Sequence, residues 1–249
     1  MSRNVLLKVE YDGSSYYGWQ IQPDVPTVQG TIQKTIKKVF KQDIKIEGSG
    51  RTDAGVHALG QTASFRLEHG IPIEKIPWVL NNRLPKDIRI LTAEEVSDDF
   101  HARFSAKGKQ YIYRVKNHVD AFSCRYYYQV SGLLNYDEMR EGAKYIVGTH
   151  DFKCFQAAGG EEKETTVRKI FDLDILRIDD GWELRVTGNG FLYNMVRIIT
   201  GTLVDVGFGK IAPSEIKDII ESKDRQNAGH TAPPQGLYLA EVYYGEDIK

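Results

Sequence analysis

Twice along the chain, hydrophobic spacing runs through the same order of elements: strand, helix, strand, strand, helix, strand. In the first round, residues 4–11 alternate apolar and polar as a half-buried strand does. Val28, Ile32, Ile36, Val39 and Phe40 then recur at helical spacing behind Thr27, an N-cap residue type. Ile44 and Ile46 predict a short second strand, a glycine-rich loop follows, and Gln61 to Leu67 alternates as a third. The spacing predicts a helix over 73–83 despite Pro77 and a strand over Asp87 to Val96. The second round opens with a strand over Lys109 to Asn117. A helix follows with Tyr136, Met139, Ala143, Ile146 and Val147 on one face, capped by Asn135 and Gly148. Strands at 168–178 and 182–188, helical residues 191–206, a short helix after Pro213 and a strand from Leu237 to Tyr244 complete the repeat.

That order predicts an α+β protein of two ferredoxin-like (βαββαβ) halves, residues 1–105 and 106–249. Antiparallel sheets are expected to carry helices on one face, with a cleft between the halves. With 249 residues, of which 41% are apolar and 27% charged, the chain has enough apolar material for a sizeable core. No apolar run is long enough for a signal peptide or a membrane span, so the expectation is a cytoplasmic protein without membrane contact. Cys124 and Cys154 are too few for a disulfide framework and read as ordinary thiols. The formal net charge of −1 excludes a uniformly basic nucleic-acid binder but not a local basic patch. Such a patch is offered by His101 to Lys116, where Arg103, Lys107, Lys109, Arg114 and Lys116 stand with no carboxylate among them. The same run also reads as a solvated strand face.

The densest local signal is Gly48-Ser49-Gly50-Arg51-Thr52-Asp53-Ala54-Gly55-Val56-His57-Ala58, between two predicted strands. Its glycines permit tight turns and close approach of a ligand or another backbone. From residue types alone it reads equally as a connection in which Asp53 caps a helix. It lacks the Lys-Ser/Thr ending of a phosphate-binding loop and the spacing of a dinucleotide-binding loop. The six histidines form no i, i+4 pair, so no metal site is expected.

The GSGRTDAGVHA segment resembles the catalytic motif of the tRNA pseudouridine synthase A family, whose aspartate falls at Asp53. A second block, Phe100-His101-Ala102-Arg103-Phe104-Ser105-Ala106 followed by Lys109 to Arg114, resembles the segment that supplies the family's active-site tyrosine, at Tyr111. Phe191 to Arg197 and Thr231 to Leu239 match two further blocks in the family's order. Tyr193-Asn194 and the charged insert Gly159 to Glu164 depart from the common pattern, and the insert bears on which RNA is accepted.

The resemblance implies an isomerase that converts uridine to pseudouridine at positions 38, 39 and 40 of the tRNA anticodon stem-loop. It implies a homodimer and tRNA as partner, with neither cofactor nor metal, and it makes the cleft between the halves the catalytic cleft. The reaction breaks the bond between ribose C1′ and uracil N1, turns the base, joins C1′ to C5 and removes the C5 proton, with no net redox change. Asp53 is implied as nucleophile at C1′ or as base at C2′, and the sequence leaves both routes open. A carboxylate in a partly dry pocket needs an opposing cation to stay ionised, and the resemblance puts Arg197 in that role. Tyr111 is implied to stack on the target base, and Arg51 to fill the space it leaves. His57, Arg103, Lys107, Lys109 and Arg114 are expected to contact substrate, and the helix bearing Lys34, Lys37, Lys38 and Lys41 is a further basic surface. Two other classes compete: a non-catalytic RNA-binding module, and a metal-dependent nucleotide hydrolase whose activity a chelator would abolish.

Overall fold

The computed structural model describes residues 2–160, 164–245 and 248. Two compact units divide the chain, Met1–Lys107 with Tyr238–Asp247, and Gly108–Leu237 with Ile248–Lys249. In the first unit, β1 (Arg3–Tyr11) turns Val5, Leu7, Val9 and Tyr11 into the core, as its alternation requires. In α1 (Val28–Phe40), Thr27 caps the start by accepting from Gly30 N–H, and Val28, Ile32 and Ile36 form the buried stripe. Each such side chain contributes roughly 1.5–3 kcal/mol by leaving water. Then come β2 (Glu47–Gly48), β3 (His57–Leu67), α2 (Ile76–Asn81) and β4 (Ile88–Val96). Pro77 stands in the first turn of α2, where its missing N–H costs no helical bond.

β1 is antiparallel to β3 on one side and to β4 on the other. β2 and β10 (Leu237–Tyr243) share the remaining edge of β3. β2 pairs antiparallel with Ala63 and Ser64, and β10 pairs parallel with His57 and Ala58.

The second unit holds β5 (Gly108–Lys116), β6 (Tyr128–Gln129), α3 (Tyr136–Lys144), β7 (Gly148–Asp151), β8 (Val167–Ile178), β9 (Gly181–Gly188), α4 (Met195–Gly207) and α5 (Glu215–Ser222). Its strands run in the order β5-β9-β8-β7, all antiparallel, with β6 parallel to β5. β8 and β9 form a hairpin closed at Ile178 and Gly181. Every residue of α4 is buried except Arg197, which is half-buried. The hydroxyls of Thr200 and Thr202 within that helix donate to Val196 O and Ile198 O, so burial leaves neither unsatisfied. The chain is a mixed α and β fold, with helices packed on antiparallel sheets.

Three expectations need correction. Ile44 and Ile46 do not form a strand; the paired residues are Glu47 and Gly48. Ile46 is instead fixed by side chains of α1, its N–H donating to Gln33 Oε1 and its carbonyl accepting from Gln29 Nε2. Gly148 does not cap α3, which ends at Lys144, but opens β7 at φ +120°. The helical residues expected from 191 begin only at Met195, behind Asn194 in a left-handed conformation at φ +59°. Of the insert Gly159 to Glu164, residues 161–163 lie outside the described residues.

Candidate active site

The segment from Ser49 to Val56 crosses from β2 to β3 as a loop fastened at both ends. Gln61 on β3, at 0% exposure, holds the entry: its Oε1 accepts from the Ser49 hydroxyl at 2.6 Å, and its Nε2 donates to Gly50 O at 3.0 Å. Thr52 is buried, with Oγ1 2.7 Å from the Tyr11 hydroxyl and its carbonyl accepting from Trp19 N–H. Val56 N–H donates to Asp53 O, closing a tight turn. Gly55 occupies the turn's third position at φ +76°, the conformation a type II turn demands there. Between these fastenings the turn presents Arg51 and Ala54 exposed and Asp53 half-buried.

A second segment, residues 12–19, wraps that loop closely. A β-carbon on Gly13 would meet Val56 O at 2.0 Å, and one on Gly48 would meet the Trp19 indole at 2.4 Å. Gly18 and Trp19 also give their carbonyls to the first N–H groups of α1, at Val28 and Gln29. His57, expected to touch substrate, is 2% exposed. Its Nδ1 accepts from Gly13 N–H at 3.1 Å and lies 3.2 Å from Asp12 Oδ1, and its ring stacks on Tyr238 at 4.7 Å. These contacts brace the loop, and they hold the His57 side chain buried.

In the second unit, Tyr111 on β5 is 8% exposed and meets Phe191 edge-on at 5.0 Å. Arg197, two residues into α4, donates from Nε to Ala232 O at 2.7 Å and from Nη1 to Asn194 Oδ1 at 2.8 Å. Ala232 N–H returns to Arg197 O, so the helix start and the 231–237 segment clasp each other. Tyr113 donates to Pro233 O at 2.6 Å, and a β-carbon on Gly236 would strike its ring at 2.7 Å. Burial pushes the Tyr113 hydroxyl well above the usual tyrosine range, while the nearby Arg197 charge pulls the other way.

A family model described as tRNA pseudouridine synthase matches residues 8–105 and 143–245, well over half of the chain. The chain belongs to the tRNA pseudouridine synthase family. The tRNA pseudouridine synthase A of Thermoanaerobacter sp. (strain X514) is 49% identical over 97% of this chain and all of that protein. That of Caldicellulosiruptor saccharolyticus is 50% identical over the same shares. A solved Cbf5-Nop10-Gar1 complex is similar over 97% of this chain and 60% of that chain, at 14% identity and TM-score 0.39.

For a member of this synthase family, the basic residues divide by environment. Arg103 and Lys107 are exposed, and the Arg103 guanidinium lies 5.7 Å from the centre of the Phe104 ring. Lys109 is half-buried on β5. Arg114 donates from Nε to buried Glu183 at 3.0 Å, and Arg185 shares the same carboxylate at 2.7 Å, so part of the Arg114 charge is spent within the sheet. On α1, Lys37 is paired with Asp43. Sequence reasoning missed Gln61, Gly18, Asn194 and Ala232. Gln61 left one signal, a polar side chain at a position that alternation directs into the core.

Proposed function

We propose that this chain isomerises uridine to pseudouridine at positions 38, 39 and 40 of the tRNA anticodon stem-loop. Family membership carries the reaction class, together with near-half identity to tRNA pseudouridine synthase A along essentially the full chain. The finer positions rest on the resemblance of the GSGRTDAGVHA loop. In this reading Asp53 acts on the ribose, attacking C1′ or removing the C2′ proton, and then assists loss of the C5 proton. Arg197 is the cation that keeps that carboxylate ionised, and its two anchored hydrogen bonds support a fixed orientation. Tyr111 stacks on the uracil, and Arg51, exposed beside Asp53, fills the space left by the turned-out nucleotide. Arg103, Lys107, Lys109 and Arg114 approach phosphates.

The reading includes a homodimer working in the cytoplasm, where its tRNA substrate resides. It also takes the architecture as paired ferredoxin-like halves, a catalytic-loop half to residue 105 and a tyrosine and arginine half from 106. The sheet order β4-β1-β3-β2 in the first unit supports this. Among the described residues no helix is long and apolar enough to cross a membrane.

Transcribed tRNA carrying tritium at uracil C5 tests the reaction class, since joining C1′ to C5 must expel that atom. Tritium passing into water in step with turnover is expected. Retention of the label in RNA that the protein binds would overturn the isomerase reading.

A further inference from the structure

We propose that His230 is a positioning residue for the reaction, its imidazole bridging Asp205 and Tyr128 to fix the backbone carbonyl that aims Arg197. The inference rests on the proposed role of Arg197. The segment from Ala228 to Pro233 has no ladder of its own, and every residue in it is tied by a neighbour. Arg225 donates from Nη1 to Ala228 O and Gly229 O and from Nη2 to Thr231 Oγ1. Gly229 N–H donates to Thr202 Oγ1. Ala232 exchanges two bonds with Arg197, and Pro233 O accepts from Tyr113.

His230 sits in the middle of this strap and supplies its only side-chain link to two separate elements among the bonds named here. Nδ1 lies 3.0 Å from Asp205 Oδ2 on α4, and Nε2 lies 3.1 Å from the Tyr128 hydroxyl on β6. A neutral ring with its proton on Nδ1 donates to the carboxylate and accepts from the phenol, so both contacts are satisfied at once. Asp205 also receives Lys210 at 3.1 Å. Burial pushes the Asp205 carboxyl up, but the His230 and Lys210 contacts outweigh it and hold the group below the usual carboxylate range. The acceptor is therefore charged at neutral pH, and the bond it makes with the ring is of the stronger, charge-assisted kind.

The strap also lies hard against α4. A β-carbon on Gly201 would meet His230 O at 1.9 Å, and one on Gly229 would meet Thr202 Cα at 2.6 Å and Asp205 Oδ2 at 2.8 Å. With the ring in place, the strap is also held at His230, two residues before the Ala232 carbonyl that accepts from Arg197 Nε. Without it, the strap keeps its backbone bonds to Thr202, Arg197 and Tyr113 and its Arg225 ties but loses the side-chain bridge to Asp205 and Tyr128 at its middle. Arg197 serves the reacting carboxylate rather than the RNA backbone in the proposed reading, so loosening it lowers turnover and spares binding. A misplacement of about 1 Å far from the chemistry can cost about 100-fold in rate.

The test compares His230→Ala, His230→Gln, Tyr128→Phe and Arg197→Lys in the full-length enzyme, measuring kcat and KM on tRNA beside thermal melting. The inference expects His230→Ala to lose roughly 10- to 100-fold in kcat with KM nearly unchanged. His230→Gln, which still donates to Asp205, recovers most of it. Because the native side chain is 41% exposed, free imidazole reaches the vacated site and restores turnover to His230→Ala. Tyr128→Phe, a single hydroxyl deletion that leaves the ring packing, loses a smaller share of kcat. Wild-type kcat in folded His230→Ala or Tyr128→Phe, or a loss taken in KM, would overturn the inference while an impaired Arg197→Lys kept the reading of Arg197. Full activity in Arg197→Lys would instead defeat that reading itself. If His230→Ala does not fold, the Tyr128→Phe and His230→Gln results decide by the same criteria.

Discussion

At Gly18 the backbone turns at φ +86° with its α-carbon facing the 49–56 loop. A β-carbon there would lie 2.5 Å from Thr52 O and 3.1 Å from the Asp53 carbonyl carbon. Backbone cannot step aside as a flexible side chain does, so Gly18→Ala carries left-handed strain and a collision together. A destabilisation of about 2–3 kcal/mol is expected, lowering Tm by roughly 4–12 °C in a chain of this size. Thermal melting followed by circular dichroism checks it, and an unchanged Tm would show that the loop moves freely away from residues 12–19. Single residues were legible in unequal measure. The motif placed Asp53 on a loop between strands, where it stands half-buried. His57 belongs to the same motif but is buried beneath it, because the neighbours that cover it, Gly13 and Tyr238, come from distant parts of the chain. Nothing local to His57 announces that burial.

Elements whose ends carry their own chemistry were read well from the sequence. Thr27 at α1 and Asn135 at α3 accept from the N–H groups their positions predict, at Gly30 for the first and at Asp137 and Glu138 for the second. Thr27→Ala removes that acceptor and is expected to cost about 1 kcal/mol, with Thr27→Ser close to wild type. Urea unfolding measures this as a lower midpoint at constant slope, and equal midpoints for the alanine and serine variants would contradict the cap's contribution. Elements set by distant partners were harder to see. Ile44 and Ile46 alternate like a strand, yet Gln29 and Gln33 take the Ile46 backbone bonds a ladder would use. Ile146 and Val147 extend the apolar stripe of α3, but the helix gives way at Tyr145 to bonds three residues long, and Gly148 turns into β7. β6 and β7, of two and four residues, are too short to leave a period.

Across the whole molecule, tyrosine ionisation reports how much of the core survives in alkali. Fourteen tyrosines are present, and burial pushes Tyr11, Tyr16 and Tyr113 far up, and Tyr244, beside Thr62, up to about 12. A raised folded-state value means the neutral phenol stabilises the fold. That contribution is complete below the unfolded value of about 10 and is lost as pH climbs through about 12 for Tyr244. A spectrophotometric titration is therefore expected in two stages, exposed phenols near pH 10 and the buried group only with unfolding at higher pH. All fourteen titrating together while the dichroism stays native would contradict the burial. The repeated element order gave the mixed fold and the family motif gave the reaction class, but both leave the catalytic group itself to experiment. The decisive measurement incubates unmodified tRNA with wild type and with Asp53→Asn, then maps pseudouridine by carbodiimide labelling and primer extension. Product at positions 38 to 40 with wild type and none with Asp53→Asn is the predicted result. Equal product from both proteins, or none from wild type on tRNA that it binds, would contradict the assignment of Asp53 as the reacting carboxylate of a pseudouridine synthase.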